Sequence, residues 1–304
     1  MQPFRIHILG CGSALPTLRH FPSSQVVELR EKMFLVDCGE GAQIQLRRSH
    51  IHFSKVIGVF ITHLHGDHCF GLLGLINTLG MLGRTSPLHI YAPKEMETIF
   101  QPQLDIFCKN PGYEIVYHPI DTTQHLTIFE THSMTVETVP LDHRVPCCGY
   151  LFKEKALMPH IRRDMIDYLG IPVSQINNIK NGADWTTNDG RIIPNSELTT
   201  PADKPRSYAY ITDTKYLPQL HTLLKDVDVL YHESTYCDDN EQKAATFHHS
   251  TARQAATVAL QAHAGKLILG HYSSRYEDES IFLNQAREVF TNTVLSDEMM
   301  TFDV

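Results

Sequence analysis

Short apolar runs recur along the chain, and each gives way to a polar turn. FRIHIL leads into GCGSALPT, KMFLVD into CGEGAQIQLRR, and KVIGVFIT into HLHGDH. Further on, MTVETVPLD precedes His143, RSYAYIT precedes Asp213, DVDVLY precedes His232 and GKLILG precedes His271. The runs are rich in β-branched and aromatic residues and several alternate, which predicts strands. Two segments between them, HCFGLLGLINTLGMLG and TARQAATVALQAHAG, carry helical spacing, the second with Gly265 as its expected C-cap. Strands and helices mix throughout, with hairpin-like strands early in each half. The pattern predicts stacked mixed sheets flanked by helices rather than a purely parallel sheet.

The strand rhythm fades between Phe152 and Arg206, where NGADWTTNDGRIIPNSEL and TTPADKP multiply the turn signals. We expect this stretch, 152–206, to be an insertion projecting from a single domain that spans 1–304. Eight Lys/Arg against seven Asp/Glu give it a net charge of +1 inside a chain of net charge −8. Its opening residues, Phe152–Arg163, concentrate Lys153, Lys155, Arg162 and Arg163 against Glu154. A solvated surface excursion would look the same by composition.

Composition narrows the class of protein. Hydrophobic residues make up 42% and charged residues 20% of 304 positions, ordinary values for a globular chain. No apolar run approaches the roughly 20 residues that span a bilayer, so no membrane segment is expected. The seven cysteines form no CxxC pair, which fits reduced thiols and a cytoplasmic location. The acidic balance argues against a general nucleic-acid coat, although it leaves room for a local basic patch.

The 19 histidines change the picture, because three of them crowd into THLHGDH. His63 and His65 are two apart, so in extended chain they point to one side. Asp67 and His68 follow at the turn into the next helix. Imidazole and carboxylate donors suit zinc. Four groups in one turn can hardly encircle one ion, so further ligands should come from other strand ends, where His143, Asp213 and His271 stand. We expect His63, His65 and His143 to hold one zinc, Asp67, His68 and His271 a second, and Asp213 to bridge. A bridged pair at roughly 3.5–4 Å suits in-line displacement at phosphorus by hydroxide formed at neutral pH. The other histidines are read as surface or hydrogen-bonded residues, His232 as an outer partner of the site, and Cys147 and Cys148 as buried apolar residues. GCGSALP lacks the third glycine of a dinucleotide fingerprint and the Gly-Lys-Ser/Thr of a P-loop, which argues against a nucleotide cofactor.

THLHGDH resembles the HxHxDH signature of the metallo-β-lactamase superfamily. Together with GCGSALPT, DCGEGAQ, ITDT, HEST, HST and GHYSSRY, in that order and almost end to end, the chain resembles the ribonuclease Z family. The resemblance implies a four-layer αβ/βα sandwich of two mixed sheets with a protruding arm. It implies two Zn²⁺ per subunit, precursor tRNA as substrate, a homodimer, and removal of the 3′ trailer by endonucleolytic hydrolysis. It makes Asp67 both ligand and proton acceptor, and His249, supported by Glu233, the group that protonates the leaving 3′-oxygen; His248 stands beside it. It places the tRNA-gripping arm at 152–206, with Lys153, Arg162 and Arg163 as substrate contacts, and Arg275 as a phosphate contact. The chain departs from the family in LGIPVSQ, which lacks a Gly-Pro pair, and at Cys11, Ala42 and Gly270, where threonine is usual. Two rival readings are a hydrolase of small phosphodiesters or other esters on the same fold, and a metal-free tRNA-binding module.

Overall fold

The structure, a computed structural model, describes residues 2–15 and 17–304; Met1 and Pro16 of GCGSALPT lie outside the described residues. The strands in chain order are β1 (Phe4–Gly10), β2 (Ser24–Leu29), β3 (Lys32–Val36), β4 (Val56–Phe60), β5 (Leu88–Pro93), β6 (Ile115–Ile120), β7 (Thr127–Glu130), β8 (Met134–Pro140) and β9 (Cys148–Glu154). Four two-residue strands follow: β10 (His160–Ile161), β11 (Trp185–Thr186), β12 (Ile192–Ile193) and β13 (Thr199–Thr200). The last five are β14 (Ser207–Ile211), β15 (Val229–Glu233), β16 (Lys266–Gly270), β17 (Thr293–Leu295) and β18 (Thr301–Asp303).

Two seven-stranded sheets form, in the orders β18-β1-β2-β3-β4-β5-β6 and β17-β16-β15-β14-β9-β8-β7. Both are mixed. In the first, β18-β1-β2-β3 pair antiparallel and β3-β4-β5-β6 parallel. In the second, β7 and β8 pair antiparallel while β14 to β17 run parallel. The sheets meet through fully buried aromatics. Phe60 packs against Tyr150 at 5.2 Å and Phe152 at 5.7 Å, and the Tyr150 hydroxyl donates to the Ile61 carbonyl at 2.6 Å. Burial of each such ring contributes about 1.5–3 kcal/mol. Helices Ala42–Arg48, Gly71–Met81 and Glu95–Phe107 close a second apolar layer over the first sheet through Leu46, Leu75, Leu79 and Phe100.

Helix boundaries depart from expectation in two places. The run after THLHGDH breaks at Phe70 into Gly66–Cys69 and Gly71–Met81. The later helix spans Ala252–Gln261 with a Thr251–Gln254 capping box, and Gly265 is not its C-cap. The left-handed residue there is His263, at φ 54. Gly265 is small because a Cβ would lie 2.5 Å from the Asp228 carbonyl oxygen.

The chain divides into two compact units, one of Thr131–Met134 with Lys153–Pro205 and one of Gln2–Glu130, Thr135–Phe152 and Arg206–Val304. The smaller has its own apolar centre of Ile166, Ile171, Ile179 and Leu198, ringed by Ile161, Met165, Trp185 and Ile193. Helices Arg163–Leu169 and Val173–Lys180 and the antiparallel pairs β10–β13 and β11–β12 build it. Phe152 and Arg206, expected inside the excursion, belong to the larger unit. The Phe152 ring lies 6.0 Å from Phe34, and the Arg206 guanidinium sits 5.4 Å over Phe4 and donates to the Gln2 carbonyl at 2.8 Å.

Candidate metal centre

Within the larger unit, strands β4, β8, β14 and β16 end beside one another. The turns that follow them carry His63 to His68, His143, Asp213 and His271, and these seven expected ligands converge. His63, His65, His143 and Asp213 present one donor atom each within 4.8 Å of one another, and so do Asp67, His68 and His271. In the first set, His65 Nδ1 lies 3.1 Å from His63 Nε2 and 3.2 Å from His143 Nε2. Asp213 Oδ2 is 3.6 Å from both of those Nε2 atoms. In the second set, Asp213 Oδ1 lies 3.4 Å from His68 Nε2 and 3.0 Å from His271 Nε2, and Asp67 Oδ2 is 3.3 and 3.7 Å from the same two atoms. Asp213 therefore gives one oxygen to each set.

Hydrogen bonds behind the rings decide which nitrogen faces inward. The Thr62 hydroxyl donates to Asp37, so its oxygen accepts from His63 Nδ1 at 3.0 Å. His68 Nδ1 donates to Asp37 Oδ2 at 2.7 Å, and His143 Nδ1 donates to the His248 carbonyl at 3.0 Å. The Thr235 hydroxyl donates to Glu233 Oε2 at 2.6 Å and accepts from His271 Nδ1 at 2.8 Å. Each of these four rings thus turns an Nε2 lone pair to the cluster, the tautomer that a ligating histidine needs.

The donors fit divalent cations on two counts. His68 Nε2 and His271 Nε2 are buried without a hydrogen-bond partner, an expense seldom tolerated in an interior. Tetrahedral zinc with N or O ligands near 2.0–2.1 Å implies donor separations of about 3.3 Å, and the observed 3.0–3.7 Å brackets that value. The electrostatics agree. Burial holds the His63 and His65 pKa values below the usual range and His143 down at about 4, leaving neutral imidazoles. Burial opposes charge on His68 too, but Asp213, Asp37 and Asp67 outweigh it and push its pKa up, as a site short of positive charge would. Backbone strain gathers here: Asp37, Asp213 and His271 take left-handed φ values of 55, 47 and 61, each beyond the end of a strand.

Beside the cluster, His249 Nδ1 donates to Glu233 Oε1 at 2.9 Å, and its ring lies 5.4 Å from His271 and 5.2 Å from His143. Burial disfavours its charge, yet Glu233 more than offsets this and holds the pKa at about 9. Buried Glu233 also accepts the Thr214 and Thr235 amides at 3.0 Å each. His248 turns away to Asp142 Oδ1 at 2.7 Å. His232 is buried with Nδ1 on the Glu233 carbonyl and makes no hydrogen bond to any of the seven among the described residues. Arg275 is exposed. In the smaller unit, Arg163 is exposed, Lys153 is half-buried, and Arg162 pairs with Asp164 at 3.0 Å.

Sequence reasoning did not single out Asp37, Thr62 or Thr235 for the orientation they impose, although DCGEGAQ and HEST contain two of them. It also passed over Arg144, which follows His143 and lines an open cleft with His65, Asp67 and Phe70. The glycine at 270 has a packing reason, since a Cβ there would lie 2.0 Å from the Tyr231 hydroxyl.

Residues 4–160 match the family model described as Anti-Pycsar protein Apyc1. That stretch carries His63 to His68 and His143 but not Asp213, His249 or His271. Over the full chain, Ribonuclease Z of Bacteroides fragilis is 53% identical across 298 residues, 98% of each chain. The crystal structure of human tRNase Z, short form, superposes with a TM-score of 0.72 at 24% identity, covering 98% of both chains. The metallo-β-lactamase fold protein YhfI from Bacillus subtilis superposes with a TM-score of 0.69 at 18% identity over all of both chains. The fold is thus the metallo-β-lactamase sandwich of two mixed sheets, and the chain belongs to the ribonuclease Z family of hydrolytic enzymes.

Proposed function

We propose that this protein is a zinc-dependent endoribonuclease that removes the 3′ trailer from precursor tRNA, leaving a 3′-hydroxyl on the tRNA and a 5′-phosphate on the trailer. One observation carries the reading: two three- or four-donor sets share Asp213, one oxygen to each, and four of the five rings have their inward lone pair set by a hydrogen bond behind them. His63, His65 and His143 would hold one zinc and Asp67, His68 and His271 the other, with Asp213 available to both. When bound, the pair supplies Lewis acidity for the scissile phosphate and lowers the pKa of a water. Asp67 accepts the proton of the attacking water. His249, kept protonated by Glu233, donates from Nε2 to the departing 3′-oxygen, which leaves poorly as an alkoxide.

The smaller unit serves as the tRNA-gripping arm within 152–206, through Lys153, Arg162 and Arg163, so the positive charge that an anionic substrate needs is local. Arg275 and, closer to the cluster, Arg144 meet phosphates. The arm of one subunit serves tRNA at the site of the other, in a cytoplasmic homodimer. Seven unpaired thiols fit that compartment, and no helix among the described residues is long and apolar enough to cross a membrane. The test is incubation of zinc-loaded protein with a trailer-bearing precursor tRNA and mapping of both product ends. A single cut beside the acceptor stem supports the reading. Uncut tRNA together with rapid turnover of a small diester would transfer the protein to the small-phosphodiester class.

A further inference from the structure

A second set of ligand-type side chains converges away from the seven. Cys11, just beyond β1, His20, Asp297 and Glu298 bring one donor atom each within 4.8 Å of one another. His20 Nδ1 is 2.8 Å from Glu298 Oε2, 3.3 Å from Cys11 Sγ and 3.8 Å from Asp297 Oδ1. A ring N–H serves one acceptor well, so three donor atoms around one nitrogen exceed what hydrogen bonding uses. The other ring nitrogen, Nε2, lies 3.1 Å from Oε1 of buried Glu279, whose second oxygen takes the Arg19 guanidinium. A carboxylate on the far nitrogen is the arrangement that fixes ligating histidines. Cys11 is fully buried, and beyond His20 Nδ1 its thiol finds only long contacts, 3.7 Å to the Ser296 carbonyl and 3.8 Å to Glu298 Oε1.

We propose that Cys11, His20, Asp297 and Glu298 form a third metal site, for a zinc-class dication, that ties the end of β1 to the C-terminal turn. A thiolate, an imidazole and carboxylates are the donor types of that class. The exchange balances: metal–sulfur and metal–nitrogen bonds form, the thiol proton and the imidazolium Nδ1 proton leave, and one dication replaces them at constant local charge. Arg19 and Glu279 remain an ion pair behind the ring. The site is independent of the RNA-cleaving assignment, since none of its residues belongs to the first cluster.

Cobalt(II) titration of the metal-stripped full chain tests it. The first cluster offers only nitrogen and oxygen, so a thiolate-to-cobalt charge-transfer band in the near ultraviolet reports the third site alone. Three equivalents and that band are expected. Cys11→Ala should bind two equivalents and lose the band, and Glu298→Gln should weaken the third equivalent by about 10-fold or more while the protein unfolds with the wild-type midpoint. Cys147→Ala should keep the band, because Cys147, 3.7 Å from His63, is not a ligand. Two equivalents and no band in the wild-type protein would overturn the proposal. So would a band that survives Cys11→Ala, since the thiolate would then lie elsewhere.

Discussion

In the proposed reaction Asp67 and His249 have opposite tasks, and their neighbours hold them in opposite charge states. Burial would raise the Asp67 pKa, but His68 and His271 hold it well below the carboxylate range, so it is ionised, as the proposed proton acceptor must be. Asp67→Ala should abolish turnover and leave cooperative unfolding, because the side chain sits at a sheet edge rather than in the aromatic core; loss of the unfolding transition would contradict this. His249→Ala should slow cleavage by about 10²–10⁴-fold, the usual worth of a positioned acid, with bound zinc unchanged by elemental analysis. Metal loss in that variant would make His249 a ligand rather than an acid, an alternative the geometry allows because His249, Asp213 and His271 also bring one donor atom each within 4.8 Å of one another. Asp37 touches no expected substrate, yet it fixes both His68 and Thr62 at 2.7 and 2.9 Å. Asp37→Asn should lower zinc affinity by about 10–100-fold, read by chelator competition, with a smaller effect on turnover at saturating zinc.

Elements divide the work between strand ends and the smaller unit. Parallel pairing of β14, β15 and β16 sets Ile211 opposite His232 and Glu233 opposite Gly270, so the residues beyond β14 and β16 emerge beside Glu233. The smaller unit instead rests on a four-residue apolar centre. Leu198 is completely buried there, and Leu198→Ala should cost about 2–5 kcal/mol of that unit's stability. Hydrogen exchange should show fast amides confined to 153–205, with precursor tRNA cleavage reduced and hydrolysis of bis(4-nitrophenyl) phosphate retained. Equal loss of both activities would remove the unit from substrate binding.

At the scale of the molecule, two carboxylates, Asp67 and Asp213, and five imidazoles crowd ionisable groups into one place. Ligands that bind only the folded chain stabilise it by mass action, about 2.7 kcal/mol at 100 times Kd. Chelation should therefore lower the thermal midpoint by several degrees and zinc should restore it, followed by calorimetry. An unchanged midpoint at saturating zinc would mean that the cluster does not bind the ion.

How much of this was legible beforehand depends on range. His63 and His65 lie two apart on extended chain, and the strand-then-turn rhythm is written in windows of a few residues, so sequence alone determined the mixed-sheet architecture and named seven candidates at strand ends, while their convergence is tertiary. The turn-rich composition of 152–206 hid a small core, because Ile166, Ile179 and Leu198 are too far apart to show a period. Gly265 was a false C-cap because a close backbone approach and a left-handed turn select the same residue. Only the tertiary structure decided that Asp37 holds His68 from 31 positions away, that His248 turns to Asp142, and that Cys11, His20 and Glu298 meet across almost the whole chain. Hydrophobic periodicity is local and needs no partner to be read; the direction of a side chain's lone pair exists only once a neighbouring strand has supplied its hydrogen bond.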